Sequence, residues 1–268
     1  MSLFKHVGYF LVPLPLSVAA AEDRSIRIGY AECAQFKPQS SEKAAGLKWY
    51  FAHASVGANM VDGLHDLNKK DSGSYNYATY FCEKAAPEET KAGTVYEHNR
   101  GNPGWKAKFD RFEDCVSNGW HFPKVDVVMN KLCYIDQFVS FKYYIHSMTN
   151  LERAFPETVF VYMTMPLTTA EDGDNGLRNG FNERVRAWTK ENGRVLFDIA
   201  DIEAHDSKGQ LCTFVRKNRT RQKLCGEYTG DGGHLNEVGR QLVAKGFYAL
   251  AAALEGRKRK PAAVEAAR

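Results

Sequence analysis

A chain of 268 residues, 44% hydrophobic and 25% charged, is long enough for one large domain with a sizeable core and has the balance of a globular protein. Its net charge of +4 is carried by the last thirteen residues, GRKRKPAAVEAAR, which hold five basic side chains and one acidic, so the remainder sums to zero. Without a global charge bias nothing implies a nucleic acid partner, and no apolar run approaches the ~20 residues that a membrane-spanning helix needs.

In chain order, residues 1–21 (MSLFKHVGYFLVPLPLSVAAA) have one lysine, an apolar stretch and three alanines, the three-part pattern of a signal peptide. An exported, periplasmic or secreted protein is the expectation, with a single domain over 22–256 and a basic, solvated tail over 257–268. Short apolar runs rich in β-branched and aromatic residues predict five strands, at 47–52, 94–98, 125–132, 158–164 and 195–199. Amphipathic stretches at 56–69, 105–116, 138–155, 179–191 and 236–254 predict the intervening and final helices. This alternation predicts an α/β fold, a three-layer α/β/α sandwich on a five-stranded parallel sheet of flavodoxin-like type, with ligands at the carboxyl ends of the strands. Long loops at 70–93, 165–178 and 202–233 are expected on that binding face.

None of the six cysteines forms a C-x-x-C pair or a zinc-spaced cluster, so no structural metal site is expected. Cys212 and Cys225 flank a hairpin-like segment with a polar tip and are the best candidates for a disulfide; for the others, disulfides and buried thiols both stay open.

Two segments could carry chemistry. In WYFAHASVGANM a strand ends and a helix begins around Ser55, which places a hydroxyl at the sheet's carboxyl edge beside a helix N-terminus. Taken alone, Ser55 reads as readily as a helix N-cap. In EYTGDGGHLNEVG, Asp231 and His234 stand three residues apart in a Gly-rich loop before the last helix, so one loop supplies a base and the carboxylate that orients it. His53, next to the serine, reads as a structural histidine.

With these blocks in this order, from Trp49 to Phe247, the chain resembles the SGNH (GDSL-like) hydrolases. The resemblance implies their flavodoxin-like fold, with Ser55 as nucleophile, His234 as base, Asp231 as its partner and no metal or organic cofactor. Where the family reads GDS, His53, Ala54 and Ser55 stand here, a His-x-Ser-Val-Gly variant. Asn99, Gly101 and Gly104 match N-x-G-x-x-G, which assigns the oxyanion hole to the Gly104 N–H beside that of Ser55. The third block departs: Cys133, Tyr134, Ile135 and Asp136 lie on G-x-N-D, so Ile135 replaces the oxyanion asparagine. Asn130 and Lys131, placed inside the strand, are weak substitutes, and one lost oxyanion donor typically costs ~10² to 10³ in rate.

These residues point to ester hydrolysis through an acyl-enzyme on Ser55, with an O-acetyl group on a carbohydrate as the expected substrate. The loop aromatics Tyr75, Tyr77, Tyr80, Phe81, Trp105 and Trp120 are the candidate sugar-stacking faces. A lipase or thioesterase acting on acyl chains, and a non-catalytic polysaccharide-binding relative, are the competing readings.

Overall fold

The computed structural model describes residues 25–37, 46–82, 87, 89–118 and 124–258. The signal-peptide segment 1–21, Trp120 and tail residues 259–268 lie outside the described residues. Seven strands form one all-parallel sheet: β1 (Ile26–Ile28), β2 (Lys48–His53), β3 (Ala78–Phe81), β4 (Thr94–Asn99), β5 (Val127–Asn130), β6 (Val159–Met163) and β7 (Val195–Phe197). Their spatial order is β1-β7-β6-β5-β2-β4-β3.

The five predicted strands are the five central ones, and the expected count is corrected to seven by two edge strands. Both lack an apolar run: β1 is three residues interrupted by Arg27, and β3, ATYF, has three of its four residues exposed. The central strands run β4-β2-β5-β6-β7, the flavodoxin-like order, whose direction of winding reverses between β2 and β5. Ser55 follows β2 directly, at that switch point.

The helices are α1 (Tyr30–Gln35), α2 (Val56–Lys70), α3 (Trp105–Asn118), α4 (Phe141–Ala154), α5 (Gly173–Glu191), α6 (Ile199–Glu203) and α7 (Glu237–Lys258). Side chains alternate across β2. Trp49 and Phe51 join the core under α2 and α7, whereas Tyr50 and Ala52 join Phe109, Phe112, Tyr144 and Phe181 under α3, α4 and α5. Two cores on one sheet make the three layers.

Some boundaries shift for local reasons. The third predicted helix, α4, starts at Phe141 because the Ser140 hydroxyl accepts from the Tyr143 N–H and caps it there. Helix α5 begins six residues before its predicted start, behind two glycines, because Asp172 caps it through the Asn175 N–H at 2.8 Å. Helix α7 runs to Lys258, two residues into the expected tail. The expected loop 70–93 contains β3, and its first part follows the far end of α2, away from the strands' carboxyl edge. There Tyr75 and Tyr77 are buried on Tyr248 of α7, so they are core aromatics and not sugar-binding faces.

The Cys212–Cys225 disulfide is formed and closes the base of a two-stranded antiparallel hairpin, β8 (Thr213–Arg216) and β9 (Arg219–Gln222). Cys33, Cys82, Cys115 and Cys133 are buried free thiols. No helix among the described residues is long and apolar enough to cross a membrane.

Candidate active site

Ser55 sits at φ 55°, ψ −116°, a backbone conformation that a non-glycine residue rarely adopts. Such strain is tolerated where the surroundings fix it, here an apolar strand on one side and a packed helix on the other. The hydroxyl makes no cap to the helix behind it. Instead Ser55 Oγ donates to His234 Nε2 at 2.6 Å. The cap alternative is thereby set aside.

His234 Nδ1 meets Asp231 Oδ2 at 2.6 Å, which completes a Ser–His–Asp relay across 179 residues of sequence. The other Asp231 oxygen accepts the backbone N–H of His234 at 2.7 Å and of Gly233 at 2.9 Å. Those two N–H groups, then the imidazole, hold the Asp231 carboxyl well below the usual carboxylate range. Both side chains are substantially exposed, Asp231 at 58% and His234 at 41%, so the relay lies open to substrate.

The two halves are brought together by α2 and α7. A Cβ on Gly63 would stand 2.2 Å from the Arg240 carbonyl oxygen, so glycine is what lets these helices approach. Asp66 of α2 pairs with Arg240 of α7 at 2.6 Å, and Asn59 Oδ1 accepts the Leu235 N–H at 3.1 Å, tying the histidine loop to the helix behind the serine.

Gly104, at φ +95°, lies in the loop that leaves β4, whose last residue pairs with the end of β2 (His53 with Asn99). The Ser55 and Gly104 N–H groups meet no acceptor among the described residues. Asn99 is exposed, and its Oδ1 accepts the Gly101 N–H at 3.2 Å in a local turn. His53 is buried, bonded to Glu97 at 2.7 Å and stacked on Phe51, and burial lowers its pKa; it is a structural histidine.

The third block is assembled in a way the sequence pattern does not anticipate. Ile135 is 51% exposed and offers no donor. Its neighbour Tyr134 stands edge-on to the His234 ring, with centroids 5.6 Å apart, which brings its phenol close to Ser55. Burial first, then the charge of Asp231, raise the Tyr134 pKa, so the phenol keeps its proton. Arg178 fixes this tyrosine by donating from Nε to its carbonyl at 2.6 Å and lying over its ring.

Lys131 follows β5 and is fully buried, with Nζ 3.3 Å from the Ala54 carbonyl oxygen, the far end of the peptide whose N–H belongs to Ser55. Cys133 Sγ approaches the same oxygen at 3.4 Å. Around them, Arg100 donates to Asn130 at 2.9 Å, and Lys108 pairs with Asp136 at 2.5 Å, all of them buried. Burial lowers the Lys131 pKa and brings that of Arg100 down to about 10. Asn130 Oδ1 is thus taken by Arg100, with its Nδ2 buried and unpartnered among the described residues, while Lys131 reaches the Ala54–Ser55 peptide. The clue in the sequence was a lysine in an otherwise apolar strand, VVMNKLC, a charge that burial leaves in need of a partner.

Neither a protein-family model nor any curated protein matches this sequence. Solved structures similar to it include a proposed acylhydrolase from Bacteroides fragilis, at 12% identity and a TM-score of 0.49, covering 82% of this chain and 95% of that one. A proposed lipolytic protein of the G-D-S-L family from Desulfitobacterium hafniense matches at 10% identity and a TM-score of 0.45, covering 76% and 99%. A catalytic mutant of an acetylxylan esterase from Geobacillus stearothermophilus matches at 14% and 0.43, covering 78% and 95%. Scores below 0.5 at such identities say nothing of chemistry.

Proposed function

We propose that the chain is an exported serine esterase of the SGNH kind. The observation that carries this reading is the Ser55–His234–Asp231 relay, two contacts of 2.6 Å that begin at a strained, uncapped serine. A binding module has no use for such an arrangement.

In the proposed reaction His234 Nε2 takes the Ser55 proton as Oγ attacks the ester carbonyl, and Asp231 holds the imidazole with its Nδ1 proton inward. The free Ser55 and Gly104 N–H groups receive the developing oxyanion. Lys131, donating to the Ala54 carbonyl, polarises that peptide and strengthens the Ser55 N–H. The Tyr134 O–H, held close to Ser55 by the packing of its ring on His234, takes the part of the missing asparagine. His234 then returns the proton to the leaving alkoxide, and the same steps with water release the acid.

An open triad suits a bulky alcohol such as a carbohydrate, and an O-acetyl ester is the substrate that this reading names. The disulfide fits an oxidising compartment and thus export. Hydrolysis of p-nitrophenyl acetate is the test: activity is expected from the chain and a loss of at least ~10⁴-fold from Ser55→Ala. Activity that survives the substitution contradicts the assignment.

A further inference from the structure

A zero net charge over the folded part hides a local cluster. A groove of ≈ 600 Å³ lies between the first turn of α5 and the β8–β9 hairpin, lined by Gly173, Asp174, Arg216, Lys217, Arg219 and Arg221. Four cations thus face one carboxylate. Arg221 pairs with Glu183 at 2.6 Å, and Asp174 accepts from Gln137 at 3.1 Å, but Arg216, Lys217 and Arg219 have no acidic partner among the described residues.

The hairpin register makes this costly. Arg216 is paired directly across from Arg219, and like charges so placed repel. The two residues between them, Lys217 and Asn218, both have positive φ (48° and 56°), the geometry of a tight turn that suits asparagine but not lysine. Several ties hold the cluster in place nonetheless. The Cys212–Cys225 bridge closes the hairpin base, and Asn179 of α5 exchanges two hydrogen bonds with the Gln222 backbone, at 2.8 and 2.9 Å. Arg216 lies over the start of α5, 3.4 Å from where a Gly173 Cβ would stand, so the positive end of the helix adds to its charge. An anion in the groove removes the Arg–Arg repulsion, and guanidinium groups suit carboxylates in paired contacts.

The groove is linked to the segment that packs on the triad. Gln137, which touches Asp174, directly follows the 3-10 turn at Tyr134–Asp136 whose Tyr134 packs on His234, and Arg178 of α5 bonds the Tyr134 carbonyl. A glycan chain lying in the groove would run toward that segment. No aromatic side chain lines the groove among the described residues, whereas sites for single-stranded nucleic acid stack bases on aromatics.

We propose that this groove is a subsite for the carboxylates of an acidic glycan, a uronate polymer carrying the ester that Ser55 attacks. It deepens the esterase reading and rests on it for the ester, but the anion binding can be measured without turnover. Ser55→Ala protein is titrated with oligogalacturonate, with a neutral xylo-oligosaccharide and with oligo-dT, each at low and high salt. Oligogalacturonate is expected to bind, to weaken as salt rises and to lose at least tenfold in affinity when Arg216→Glu and Arg219→Glu are added, with no binding of the neutral sugar. Equal binding by both proteins, or tighter binding of oligo-dT than of oligogalacturonate, overturns the proposal. With Ser55 intact, the ratio of kcat/KM on acetylated polygalacturonate to that on acetylated xylan is expected to fall at least tenfold in the double variant, through KM; an unchanged ratio also overturns it. Absent p-nitrophenyl acetate hydrolysis contradicts the esterase reading and leaves the binding result standing.

Discussion

Ser55 has two flanks built on opposite principles. On one flank Asp231 and His234 stand three residues apart on an exposed turn, and their contacts come from the turn itself: the carboxylate accepts the N–H groups of the next residues and the imidazole above them. On the other flank Lys131 and Cys133 are buried just past β5 and half-buried Tyr134 follows them, with Arg100, Lys108 and Asp136 packed behind. In the proposed reaction the exposed flank moves a proton and the buried flank sets the field in which charge develops. A local turn can be rebuilt almost anywhere, whereas a buried field depends on the sheet around it.

Substitutions on each flank break the comparison in different ways, the largest effect coming from the exposed one. Asp231→Asn removes the carboxylate that fixes the imidazole tautomer and is expected to lower kcat by ~10⁴ with little change in KM, as measured on p-nitrophenyl acetate. Because Asp231 is held well below the usual carboxylate range, it stays ionised as the pH falls. The acid limb of kcat/KM in the unsubstituted chain is therefore expected to contain no protonation of Asp231, and a two-proton limb in the pH profile would contradict this.

On the buried flank Tyr134→Phe deletes only an O–H and keeps the ring against His234. A fall in kcat of ~10² to 10³ is expected, the cost of one oxyanion donor, with thermal stability nearly unchanged. An undiminished kcat would return the missing-asparagine question to an unfilled state. Smaller again, Lys131→Met is expected to lower kcat by about tenfold, the scale of a polarised rather than a direct donor. Methionine fills most of the buried volume. A fall in melting temperature without a fall in kcat would assign Lys131 to folding alone.

The contrast between flanks also decides what was legible in the sequence. Asp231 and His234 are local, so their spacing was enough, and the apolar runs of β2, β4, β5, β6 and β7 fixed the centre of the sheet. Ser55 was ambiguous between cap and nucleophile until the position of His234, far along the chain, was known. Lys131 and Tyr134 face Ala54 and His234, residues distant in the chain, which no local spacing encodes. The edge strands escaped because an edge need not be apolar on both faces. The basic groove escaped because net charge sums over the surface and loses the register that sets Arg216 opposite Arg219.

The most direct measurement of the central claim is covalent. Treating the chain with a p-nitrophenyl organophosphate, then digesting it for peptide mass spectrometry, is expected to place one phosphoryl adduct on Ser55, formed in step with loss of esterase activity and at least ~10³-fold more slowly in His234→Ala. An adduct on another residue, or full inhibition with Ser55 unmodified, would contradict it.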